Sequence, residues 1–186
     1  MTWENLTKIP SEEFRCGHCG NLVASDLAFY DEREMKRIYI CPHCEDPTFF
    51  TRHRRQIPGV SPGNEVQHLP EELNELYGEA RRCVSVGSYT SSVLACRKLL
   101  MNIAVSQGAD EGLSFIRYVE YLANNGFVPP NGRGWVDHIR RKGNEATHEI
   151  ALMRTEDAEE LIAFAEMLLK FIYEFPARVP PDNENP

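Results

Sequence analysis

The sequence predicts a mainly α protein: an antiparallel helical bundle behind a small N-terminal β module. Three observations carry this. From Glu71 onward apolar residues recur near every 3.6 positions, whereas before residue 56 the period is near two. Four cysteines, Cys16, Cys19, Cys41 and Cys44, fall in two tight pairs near the start. A stretch holding Pro58, Gly59, Pro62, Gly63 and Pro70 separates the two regions. The expected organisation is a module over residues 1–55, a linker over 56–70, a bundle over 71–175 and a disordered tail over 176–186.

The module is read from its cysteines. Two thiolates spaced Cys-x-x-Cys chelate one ion from a single turn, and two such pairs complete a tetrahedral four-sulfur shell. The expected cofactor is a structural Zn2+ on Cys16, Cys19, Cys41 and Cys44, with iron or a chance spacing the alternatives. Leu27–Tyr30 and Arg37–Ile40 are rich in aromatic and β-branched types. With the charged Asp31–Lys36 between them they predict an out-and-back strand pair, the pattern of a zinc ribbon. Gly20 follows Cys19 directly, where a positive φ brings backbone amides toward sulfur. His18 and His43 fall inside the Cys-x-x-Cys turns and are expected at the knuckle tips, outside the ligand set. Arg52, His53, Arg54 and Arg55 close the module. Such a run grips phosphate or forms a solvated edge, and Glu45, Asp46 and Glu65 flank it.

The helices follow in order. Leu73, Leu76, Tyr77, Ala80 and Val84 make one stripe over Glu71–Val84, ended by Gly87. Ser88 is placed to cap a second helix, Tyr89–Ser106, with Val93, Cys96, Leu100 and Ile103 in register and Gly108 as the stop. A third covers Leu113–Asn125, closed by Gly126 and the Pro129–Pro130 pair. A fourth covers Gly134–Ile150. Thr155 is placed to cap a fifth, whose seam is Leu161, Ala165, Leu168, Ile172 and Phe175, and Pro176 ends it. Connections this short make sequential helices antiparallel neighbours. Cys83 and Cys96 fall in helical patterns as free thiols.

Charge narrows the partners. The chain of 186 residues carries a formal net charge of -8, which argues against a broad nucleic-acid-coating surface. Met1 to Lys8 lacks the apolar run of a secretion signal, and no stretch approaches the roughly 18 apolar residues of a membrane span. The expectation is a cytoplasmic protein with reduced thiols and no membrane. Within the acidic whole, Arg133, Arg140, Arg141 and Lys142 face only Asp137 in their stretch. That basic spot suits a narrow anion site or a contact between subunits.

One constellation suits chemistry. On a helix, Arg141 and His148 share a face two turns apart, with Asn144 between them. His148, with an unperturbed pKa of about 6.5, can move a proton at a scissile linkage. Arg141 can hold a phosphate, and Asn144 can orient the imidazole or a phosphate oxygen. The same row can instead pin a helical turn, with Arg141 and Glu145 as an ordinary i,i+4 pair. Gly143 inside the predicted helix marks a close contact or a partner.

Three runs carry a resemblance: Leu69 to Leu73 with Tyr77 to Ala80, then Tyr89 with Cys96 to Leu100, then Gly143 to His148. Together they resemble the domain of unknown function 4145 (DUF4145), placed in the HEPN superfamily of helical domains, over roughly residues 65–175. The resemblance implies a HEPN-like all-α bundle that dimerises. It also implies a metal-independent endoribonuclease of a defence or stress system, with a composite site shared by two subunits. Active members carry Arg-x(4–6)-His, and Arg141 with His148 matches the longest of these spacings. The tighter pattern would put Arg just before Asn144, where this chain has Gly143. The expected catalytic residues are therefore Arg141, Asn144 and His148, the expected partners a homodimer mate and RNA. The alternative is a non-catalytic module recognising RNA, a nucleotide or a protein partner.

Overall fold

The computed structural model describes residues 3–132, 134–139 and 152–179. The chain divides into two compact units, Met1–Ser61 and Pro62–Pro186.

The first unit is an antiparallel sheet in the order β1-β2-β3-β4-β5. Its strands are β1 (Thr7–Arg15), β2 (Leu22–Asp31), β3 (Lys36–Ile40), β4 (Pro47–Phe50) and β5 (Gln56–Ile57). The expected strand pair is present as β2 and β3, with Tyr30 opposite Arg37 and Ala28 opposite Tyr39. The protein is nonetheless mixed rather than mainly α, because three further strands flank that pair. β1 hides in the sequence because Pro10, Ser11, Glu12 and Glu13 break the alternation. Its register shifts between Lys8 and Glu12, around Pro10, which has no N–H to give the ladder. The core here is small: Phe14, Ala28 and Tyr39 beside Cys16 and Cys41, with Phe50 half-buried against the Phe14 and Tyr39 rings.

The second unit is helical. α1 (Glu71–Ser85) buries Leu73, Tyr77, Ala80 and Val84, the stripe that the sequence predicts; Leu76 stays half-buried. It stops at Gly87, whose φ of 84° permits the Ser88 amide to donate back to the Cys83 carbonyl at 2.8 Å. α2 (Tyr89–Ser106) is central, with eight buried residues from Ser92 to Ala104, and packs on its helical neighbours. Ser88 stands at the N-cap position of α2 but makes no side-chain capping bond. Ser92 reaches across to the Ala80 carbonyl at 2.8 Å, so its small side chain both satisfies itself and permits a close α1–α2 approach. α3 (Phe115–Asn124) follows. α4 is described over residues 134–139 and buries Val136 and Ile139.

α5 (Thr155–Leu169) departs from expectation at both ends. Its N-cap is Arg154, not Thr155, and the buried Asp157 carboxylate accepts the Arg154 amide at 3.0 Å. Leu161, Ala165 and Leu168 are buried as the seam requires. A π-turn, Lys170–Glu174, then adds a residue to the turn and rotates the phase. Phe175 consequently emerges 42% exposed, while Glu174 turns inward and accepts the Gln67 amide at 3.0 Å. The helical path continues through Pro176 as α6 (Phe175–Arg178).

The proline- and glycine-rich stretch 56–70 is shared out. Gln56–Ile57 is β5, whereas Pro62 to Gln67 straps onto the bundle. Asn64 donates twice to Glu166, at 2.9 Å each, and Arg81 holds the Pro62 and Gly63 carbonyls at 2.8 and 3.0 Å. Gly63 is required there: a Cβ would lie 2.8 Å from both Glu166 Oε2 and the Tyr77 hydroxyl.

Candidate functional site

Two backbone knuckles of the same design build the cysteine site. In the first, the Cys16 amide donates to the Asn21 carbonyl and the Gly20 amide to the Cys16 carbonyl, both at 2.9 Å. In the second, the Cys41 amide donates to the Asp46 carbonyl at 3.0 Å and the Glu45 amide to the Cys41 carbonyl at 2.9 Å. Both knuckles need a left-handed residue at the same place. Gly20 supplies it with φ 72° and Glu45 with φ 62°. Gly17 matters for a different reason, missed in the sequence: a Cβ there would sit 2.3 Å from the Pro58 carbonyl oxygen.

The knuckles brace one another. His18 Nε2 lies 3.0 Å from the Pro47 carbonyl and His43 Nδ1 lies 3.1 Å from Asn21 Nδ2. Both imidazoles are exposed and outside the sulfur cluster, as expected.

The four sulfurs lie within 4.8 Å of one another. Cys16 and Cys44 are separated by 3.7 Å and Cys19 and Cys41 by 3.8 Å, far too long for disulfides. A tetrahedral ion about 2.3 Å from each sulfur demands S···S separations of about 3.8 Å, so the donor set fits one closed metal site. Electrostatics points the same way. Burial and then neighbouring thiols push Cys44 upward, and burial pushes Cys16 upward. For Cys19 burial also acts upward, but hydrogen bonds from Asn21 and the other thiols outweigh it and bring it down to about 6. Four thiolates this close cannot all ionise without a cation among them. Backbone amides already point at sulfur, with His43 N–H 3.4 Å from Cys41 Sγ.

Arg141, Asn144 and His148, together with Gly143, lie outside the described residues. Nearby in sequence, the structure brings His138 of α4 and Glu160 of α5 together at 2.6 Å, both partly exposed. Sequence reasoning missed this imidazole–carboxylate pair because its members are 22 positions apart on different helices. Of the two remaining cysteines, Cys96 is the buried free thiol expected, whereas Cys83 is not fully buried. Cys96 is fully buried, and that burial pushes its thiol up to about 12; Cys83 is half-buried and also raised by burial.

A family model described as a domain of unknown function, DUF4145, matches residues 78–184. The chain belongs to the DUF4145 family. The match begins inside α1 and runs through the helical unit, so the DUF4145 segment excludes the cysteine knuckles. Comparison with curated proteins and with solved structures gives no match. Among the described residues of this DUF4145 protein, no helix is long and apolar enough to cross a membrane.

Proposed function

We propose that this DUF4145 chain is a HEPN-like, metal-independent endoribonuclease carrying a separate zinc ribbon. The observation that supports it is the spacing Arg141-x6-His148, with Asn144 between, inside the family-matched segment. In this reading the substrate's 2′-hydroxyl loses its proton and attacks the adjacent phosphorus. The bond to the 5′ oxygen breaks, leaving a 2′,3′-cyclic phosphate and a protonated 5′-hydroxyl. His148 moves a proton at one of these oxygens, Arg141 holds the phosphate, and Asn144 orients the imidazole or a phosphate oxygen. Two copies of the chain share one composite site, and the setting is defence or stress.

Zn2+ is the ion of choice for a closed four-thiolate shell. Bound by Cys16, Cys19, Cys41 and Cys44 it leaves no open coordination position, so its contribution is structural.

Cleavage of mixed RNA by purified protein without added metal tests the reading. Products with 2′,3′-cyclic ends, absent with His148→Ala, are expected, together with a dimeric mass in solution. A monomeric protein with no cleavage would refute it. The second reading, a binding module without catalysis, is favoured by Gly143, which stands where the tighter motif has Arg. It predicts RNA, nucleotide or protein binding that His148→Ala leaves unchanged, with no cleavage by either protein.

A further inference from the structure

The β3–β5 corner of the sheet carries a feature that the cysteine site does not use. Directly opposed residues of antiparallel strands share a face. Tyr30 opposes Arg37, and Arg37 opposes Phe50, so one row across β2, β3 and β4 reads aromatic, cation, aromatic. The Arg37 guanidinium stands 5.5 Å from the Tyr30 ring centroid. Toward the knuckles this face is closed by Tyr39 and Thr48; toward the hairpin it opens, and Tyr30 is 41% exposed.

The β4–β5 turn adds more cation to the same place. The Thr51 amide donates to the Arg55 carbonyl and the Arg54 amide to the Thr51 carbonyl, each at 2.9 Å. This tight turn projects Arg52, His53, Arg54 and Arg55, all exposed. Arg54 adopts φ 61°, a left-handed conformation that glycine or asparagine would adopt more easily. A cavity of about 160 Å³ lies at this corner, lined among others by Arg37, Tyr39, Phe50, Arg52 and Arg54. It is smaller than the roughly 300 Å³ of the smallest ordinary ligand pockets, so it takes one phosphate or one base rather than a whole small molecule. Glu12 pairs with Arg54 and Glu34 with Lys36, so carboxylates border the corner and an incoming phosphate must compete with Glu12.

We propose that this corner binds single-stranded nucleic acid, with phosphates on Arg52, Arg54 and Arg55 and a base stacked on the Tyr30 ring. Guanidinium groups beside an exposed ring are the chemistry of a strand that offers charge and a flat π-face together. An acidic peptide would use the arginines and leave the ring idle. The site goes beyond the cleavage reading, since it needs neither His148 nor any reaction.

The test is fluorescence anisotropy of a labelled mixed-sequence single strand, as RNA and as DNA. Full-length protein carrying His148→Ala is used, so that binding is read without cleavage. Binding of either strand that weakens with salt is expected. Replacing Arg52, Arg54 and Arg55 together by Ala should lower the salt slope by about two, at roughly 0.7 per phosphate contact on a single strand. Tyr30→Ala should weaken binding roughly tenfold at every salt concentration and leave the slope unchanged, because stacking releases no counterions. Arg52→Ala alone, at an exposed turn position, guards against a folding artefact and should lower the slope by less than one. An unchanged slope in the triple variant would overturn the proposal. So would preference for duplex, or displacement of the strand by polyglutamate equally from wild-type and Tyr30→Ala protein. A failed cleavage assay with intact binding would sink only the nuclease reading.

Discussion

Removing the metal should unfold one unit and spare the other, and the two tryptophans make this readable. Trp3 belongs to the sheet unit: its indole N–H donates to the Glu45 carbonyl at 2.8 Å, one residue beyond Cys44. Trp135 belongs to the helical unit, its ring centroid 5.1 Å from that of Phe164. The sheet unit has few large buried apolar side chains, chiefly Phe14, Tyr39 and Ile40. Each contributes about 1.5–3 kcal/mol on burial, so together they supply less than about 10 kcal/mol. A structural zinc site in small peptides supplies about 10–16 kcal/mol at neutral pH. An ion of this kind on the four cysteines would therefore stabilise the sheet more than its apolar core does, and the sheet should not persist once it is removed. In Trp135→Phe protein, a strong zinc chelator should red-shift Trp3 emission and release one metal ion per chain. In Trp3→Phe protein, Trp135 emission should stay unchanged. Amide protection persisting in β1, β2 and β3 after all four thiols have become titratable would refute the reasoning. Simultaneous collapse of the Trp135 signal would refute the independence of the units.

Other outcomes follow from the helical unit. Leu100→Ala, at a fully buried position of α2, should destabilise the bundle by about 2–5 kcal/mol in urea titrations and leave metal content unchanged. Glu166 gives a pH dependence. Burial pushes its carboxyl up, but hydrogen bonds from Lys170 and Asn64 outweigh this and hold it below the ordinary range. A lowered folded-state pKa stabilises above the unfolded value of about 4.3 and ceases to do so as pH falls through the folded value. The melting difference between wild type and Glu166→Gln should therefore be widest near neutrality and close in acid. Cys96, raised to about 12 by burial, should resist alkylation at pH 8 in folded protein and react once denatured, as read by mass spectrometry.

How much was legible depended on whether a local pattern carried the signal. The cysteine spacing announced a four-sulfur site because each pair is local, and the structure brings all four together. The stripe of α1 was legible for the same reason, as was the stop at Gly87. β1, β4 and β5 were not. Pro10 and Pro47 disguise two of them, and β5 has two residues, so these strands exist through tertiary pairing rather than propensity. The inward turn of Glu174 was hidden by the π-turn, since a fixed period of 3.6 assumes no inserted residue. The His138–Glu160 contact, like the Tyr30, Arg37 and Phe50 row, joins residues that only the fold makes neighbours.

The division into two units bears on how the proposed activities would be combined. The family match covers residues 78–184, so the features shared with DUF4145 relatives reside in the helical unit, which apolar burial holds together. The knuckles and the arginine turn lie in the other unit, which carries the four clustered cysteines. If the bundle cleaves RNA and the sheet unit grips the strand, metal loss should affect binding without removing the chemistry. A chelator that empties the four-thiolate site should then lower the cleavage rate at low concentrations of long RNA, where capture limits turnover. It should leave the rate at saturating RNA unchanged, because His148 and Arg141 need no ion. Loss of the saturated rate in chelator, with Trp135 still reporting a folded bundle, would show that the metal-bearing unit takes part in catalysis and would defeat this separation of roles.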